Sequence, residues 1–170
     1  MPIDPSTLSE SVSSSFQSLH NAAATLNSVS DELGKFIARI DESLRKLNLG
    51  ITVWVKVSGW DNSGDGDTGF WTEQIGYAKV NGRWGLCLRR VVGDYRYPEQ
   101  DSEEIWAFND APRVQRLDAL DKITDLLQKL SNEADTMTAR VLERLADVEA
   151  VANAVAPLPL VIKRNGGGVK

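Results

Sequence analysis

One cysteine, one histidine and two methionines are all that 170 residues contain of the soft metal-binding and redox-active side chains. Cys87, being alone, closes no intramolecular disulfide and builds no cysteine-cluster zinc site. In the run Leu86-Cys87-Leu88 it reads as a small packed residue of a strand and not as a nucleophile. His20 lies in a Ser-rich stretch off the apolar seam described below, where a solvated imidazole is expected. Without a second histidine, a metal-dependent hydrolase would need an all-carboxylate site, and no paired-helix carboxylate motif is present. The segment "GDGDTG" has no lysine and no following helix, and "NGRWG" is a turn, so neither is a phosphate loop or a dinucleotide fingerprint. Asp94, Glu103 and Glu104 read as solvated loop carboxylates. No enzymatic activity and no cofactor are expected.

Positive charge is also short. Lys and Arg number 19 against 24 Asp and Glu, a net −5, which argues against general attraction to nucleic acid. No apolar run approaches the roughly 18 residues that span a bilayer, and "MPIDPSTLSESVSSS" lacks the basic start and apolar run of a secretory signal. A cytoplasmic protein with no membrane partner is expected.

What the sequence does have is sevenfold periodicity. Val12, Leu19, Leu26, Leu33, Ile40 and Leu47 recur every seven residues, with Phe16, Ala23, Ser30, Ile37 and Leu44 as the alternate seam row. A helix over 9–50 would be about 60 Å long, with Gly50 as its left-handed stop. A second series, Leu120, Leu127, Ala134, Val141, Val148 and Val155, is accompanied by Ile123, Leu130, Met137 and Val151 and interrupted by Arg144. It predicts a long helix over 110–156, N-capped at Asn109 or Asp110 with Pro112 in the first turn, and stopped by Pro157 and Pro159.

Aromatic residues are concentrated in the segment between the helices, which keep only Phe16 and Phe36. Ten of twelve fall between Trp54 and Phe108. "ITVWVKVSGW", two runs around Asn81-Gly82 and "EEIWAFN" predict an antiparallel sheet of three to four strands over 51–109, because Asn-Gly suits the type I′ turn of a hairpin. The expected fold is therefore α+β: two long heptad-patterned antiparallel helices flanking a small antiparallel β-sheet, with tails at 1–8 and 157–170. Leu158–Arg164 has the pattern of an added edge strand. Apolar residues off the main row (Leu117, Leu126, Leu142, Leu145) widen the stripe of the second helix. A stripe that wide predicts a homodimer or higher symmetric oligomer packed as a helical bundle.

Two stretches carry functional expectations. "GWDNSGDGDTGFWTEQ" partly fits a calcium loop, with Asp61, Ser63, Asp65 and Gly66 in place, but its twelfth position is Thr72 and its flanks are strands. A solvated turn without metal is expected, Asp61, Asp65, Asp67 and Glu73 being the donors a calcium site would draw upon. The second is a concentration of aromatic and arginine side chains: Trp60, Phe70, Trp71, Tyr77, Arg83, Trp84, Arg89, Arg90, Tyr95, Arg96, Tyr97 and Trp106, with Arg113 and Arg116 at the second helix start. Trp, Tyr and Arg are the residues enriched at protein-binding hot spots. The same pairing of stacking face and guanidinium suits a small anionic, nucleotide-like ligand. The expectation is a non-enzymatic, oligomeric binding protein whose β module recognises a protein partner, with an anionic ligand at a subunit interface as the alternative.

Overall fold

The computed structural model describes residues 5–61 and 68–155. Helix α1 (Pro5–Lys46) leads into strands β1 (Val53–Asp61), β2 (Gly69–Val80), β3 (Arg83–Asp94) and β4 (Ser102–Ala107). Helices α2 (Arg113–Ala119) and α3 (Ile123–Val155) follow. The fold is α+β, with a four-stranded antiparallel sheet in the order β1-β2-β3-β4. The chain divides into two units, Met1–Leu130 and Ser131–Lys170.

Helix α1 is longer at its start and shorter at its end than the heptad pattern suggests. It begins by Pro5, inside the expected 1–8 tail, and stops at Lys46 instead of Gly50. Asn48 takes the left-handed conformation first (φ 49°), and Gly50 (φ 64°) only redirects the chain. Asn tolerates that conformation better than other non-glycine residues, so it supplies the stop. Arg45 and Lys46 in the last turn complement the negative end of the helix.

The expected single helix over 110–156 is not formed. Phe108 and Ala111 are buried, and Ala111 is extended (φ −71°, ψ 156°), as the residue before Pro112 is disposed to be. Docking of these two side chains holds 108–112 in a 3-10 turn and an extended step, so α2 starts at Arg113 with Pro112 in the cap position. Neither Asn109 nor Asp110 is the cap. The Asn109 amide reaches across to donate to the Gly34 carbonyl at 3.1 Å. A second 3-10 turn, Leu120–Lys122, separates α2 from α3.

The sheet is set by its central hairpin. Asn81 and Gly82 both have positive φ (50° and 81°), the signature of the turn their sequence predicts. From that turn β2 and β3 pair without a break from Val80↔Arg83 to Gly69↔Asp94. Alternation then sorts the side chains. On one face Val53, Ile75, Tyr77, Leu86 and Leu88 meet Ile37 and Leu44 of α1, Phe108, Ala111, Ala119 and the α3 residues Leu126 and Leu130. On the other face Trp54 lies over Gly76, where a Cβ would stand 2.3 Å from the indole. Cys87 beside it is fully buried. Where β4 ends, Asp41 accepts a hydrogen bond from the Leu86 amide at 2.7 Å, capping an otherwise open edge of β3.

Only the C-terminal part of the α1 seam enters this core. Ile37 and Leu44 are buried, with Leu33 and Ile40 partly so, whereas Leu8, Val12, Phe16, Leu19, Leu26 and Val29 are exposed. In the second unit, the helical residues Ser131–Val155 likewise carry exposed Met137, Val141, Leu142, Leu145, Val148, Val151 and Val155. The edge-strand reading of Leu158–Arg164 lies outside the described residues. No helix among the described residues is long and apolar enough to cross a membrane.

Candidate recognition surface

The registers bring Trp60, Trp71 and Val92 into one cross-strand row. Trp60 faces Trp71 across the β1–β2 pair, and Trp71 faces Val92 across β2–β3. The row lies at the end of the sheet remote from the Asn81–Gly82 turn, on the face that carries the core. Trp60 is 46% and Val92 42% exposed, while Trp71 is half-buried beneath the Arg90 guanidinium, 5.7 Å from its ring centroid. A cation over an indole face is attracted by the ring quadrupole.

Beneath this row Glu73 is fully engaged. It accepts from Ser58 Oγ (2.9 Å) and from the Gln115 amide of α2 (2.9 Å), and Arg90 Nε lies 4.0 Å away. Gln115 thus ties α2 to the sheet just below Trp71. Nothing in the sequence pattern announces this bond, because its partners are 42 positions apart.

The reverse side of the same end is also aromatic. Phe70 stacks on Tyr95 with centroids 4.7 Å apart, and the Tyr95 hydroxyl donates to Asp61 at 2.9 Å. That hydrogen bond, with burial second, raises the Tyr95 phenol above its ordinary value. Asp94 binds the Thr68 hydroxyl and the Arg96 amide, which together hold its carboxyl below the usual range. Tyr95 N donates to Thr68 O at 2.9 Å, and Tyr97 N to Asp94 O at 2.9 Å, so the chain after β3 folds back against the start of β2. Tyr95 and Tyr97 are both about half exposed, and Arg96 between them is exposed.

The predicted constellation therefore separates into groups. Trp60, Phe70, Trp71, Arg90, Tyr95, Arg96 and Tyr97 share one end of the sheet. Tyr77 does not belong to a surface: it is 1% exposed, stacks on Trp84 at 5.7 Å, and its hydroxyl is pushed up chiefly by burial. Trp84 and Trp106 are half-buried against the core, so these three aromatics are structural. Arg89 is spent on the opposite face, where it lies 4.1 Å over Trp54, binds Gln74 and pairs with Glu103 at 3.0 Å. Arg113 donates to Asn27 of α1 at 3.0 Å, and Arg116 is half-buried on α2. Arg83 is exposed at the hairpin turn, beside a cleft of about 380 Å³ lined by Asp41, Arg45, Trp84 and Asp110.

No family model, no curated protein and no solved structure matches this chain.

The calcium reading fares differently at its two described ends. Asp61 pairs with Phe70, whereas Glu73 is three residues further along β2, so the two carboxylates point to opposite faces. They cannot close on one ion, and each already has a protein partner. Asp65 and Asp67 lie outside the described residues. Among the described residues no group of three or more His, Cys, Asp or Glu is placed to hold a metal. Cys87 is buried among strand residues, and burial pushes its thiol up to about 12, where it is neither a nucleophile nor a ligand.

Proposed function

We propose that the protein is an oligomeric binding protein that recognises a protein partner through the end of its sheet remote from the central turn. The observation that carries this reading is the Trp60–Trp71–Val92 row. Two tryptophans and a valine side by side, with Arg90 stacked on one of them and Tyr95 and Tyr97 at the rim, have the composition of a hot spot. Trp60 and Val92 are exposed, and none of the three belongs to the core cluster, so the row's place in the fold does not account for it.

The test is affinity capture from the source cells with the wild-type chain and with a W60A/W71A variant. The reading expects a stoichiometric protein retained by the first and lost from the second at unchanged folding. Equal retention by both contradicts it.

A second reading, a small anionic ligand, is favoured by the cleft beside Arg83. Two guanidinium groups, Arg45 and Arg83, and the Trp84 ring line it, although Asp41 already pairs with Arg45 at 3.2 Å. A ligand present at a hundredfold excess over Kd stabilises the folded state by about 2.7 kcal/mol. A thermal-shift panel of nucleotides, with R83A as control, tests it; no shift with any member removes this reading.

The oligomer is part of the same proposal. The exposed seams on α1 and on Ser131–Val155 support it, because long isolated helices with uncovered apolar stripes are marginal in water.

A further inference from the structure

We infer that the free half of α1 is an interface with the α1 helix of a second copy, running antiparallel. This rests on the oligomer proposed above and adds which helix pairs, on which flank and in which direction.

The seam rows of α1 differ in size. One row carries Val12, Leu19 and Leu26, and the other Ser9, Phe16, Ala23 and Ser30. In a parallel pair each layer repeats itself, so Ser9, Ala23 and Ser30 would each meet their own copy and leave three hollow layers around a crowded Phe16 pair. In an antiparallel pair the two rows face each other: with the dyad near Asn21, Ala23 meets Leu19, Ser30 meets Val12 and Phe16 meets Leu26. Alternation of large against small is what fills a helix interface without voids.

The flanks give the same direction independently. On one side of the seam stand Ser13, His20, Asn27, Gly34 and Asp41, and the chain's own fold occupies that side from Asn27 onward. Arg113 binds the Asn27 side chain, Asn109 binds the Gly34 carbonyl, and the Leu86 amide binds Asp41. The opposite flank carries Leu8, Ser15, Ala22, Val29 and Phe36, apolar at four of five positions, with Leu8, Val29 and Phe36 exposed. From Asn27 onward a second helix can approach only from this flank. Antiparallel pairing sets like flank against like, apolar on apolar, whereas parallel pairing would set it against the polar, occupied one.

Area and charge fit a second copy. Leu8, Val12, Phe16, Leu19, Leu26 and Val29 are 44% to 69% exposed. At on the order of 100 Å² each they offer about 600 Å² per protomer, approaching the roughly 800 Å² per partner of a standard interface once the alanine methyls are added. Between Leu8 and Ser30 the only charged residue is Glu10, so two copies meet without repulsion.

The experiment uses the full chain with single spin labels at S14C and S28C, two positions on the outer face of α1. Cys87 is buried and contributes no label. An antiparallel pair whose dyad falls between the two sites gives two axial separations that sum to about 42 Å, twice the fourteen-residue spacing at 1.5 Å per residue. Two short and equal distances would mean a parallel pair and overturn the inference while leaving the oligomer standing. L19D and L26D, both on the exposed half, should give a monomer with unchanged near-ultraviolet circular dichroism; a variant that stays dimeric also overturns the inference. A wild-type chain that is monomeric at every concentration would overturn both the inference and the oligomer.

Discussion

Trp60 on β1 stands directly opposite Trp71 on β2, eleven residues away in sequence, and the pair is separated from the core by the layer that holds Glu73. The core needs neither indole. Removing them should therefore leave folding intact: W60A and W71A are expected to lower stability by no more than about 1 kcal/mol each, the scale of a cross-strand aromatic pair. Thermal unfolding of the two single variants and the double variant checks this. A loss of several kcal/mol would make the pair structural.

Gly76 is expected to be intolerant of any side chain. A Cβ at that position would stand 2.3 Å from the Trp54 ring, which is pinned in turn by Arg89. G76A should cost about 1–3 kcal/mol through overpacking. In a W54A background the same substitution should cost much less, because the partner it collides with is gone. Equal costs in the two backgrounds would show that Trp54 does not press on Gly76.

Leu126 and Ile75 are fully buried on opposite sides of the core, one on α3 and one on β2. L126A and I75A are each expected to cost about 2–5 kcal/mol by chemical denaturation, from lost burial and the cavity left behind. The contrast with L19A or L26A on the exposed half of α1 is the informative comparison, since those side chains are not in the core of their own chain.

Cys87 gives the fold a pH dependence on the alkaline side. Its thiol is pushed up to about 12 by burial, above the ordinary value of 9.0. Between those values the unfolded chain has lost a proton that the folded chain keeps, so unfolding releases a proton and stability falls as pH rises, by up to ~1.4 kcal/mol per pH unit. Below pH 9 this contribution is constant. C87A should remove that slope, and native protein at pH 8 should resist thiol reagents until it is unfolded.

The local parts of the fold were legible in sequence because local chemistry decides them. Asn81-Gly82 marks its own turn, the alternation around Trp84 to Leu88 marks its strand, and the sevenfold rows mark helices. What could not be read were contacts between distant segments. Asn109 has the composition of a helix cap, yet its side-chain amide is spent on the Gly34 carbonyl of α1, 75 positions away. Tyr77 and Tyr95 look alike in sequence, and only the registers separate a buried ring from an exposed one. The gathering of Trp60, Phe70, Trp71, Tyr95 and Tyr97 at one end also depends on pairing. Its hairpin spacing was visible, but the return of the chain at Asp94 to Thr68 was not.

A partner docked on this end of the sheet would lie within reach of Val92 and far from the central turn. A photo-crosslinking residue at Val92, beside Trp71, compared with one at Lys79, exposed near the Asn81–Gly82 turn, tests it most directly in the source cells. A discrete protein adduct is expected from position 92 and none from position 79. No adduct at 92, or the same adduct from both positions, would contradict it.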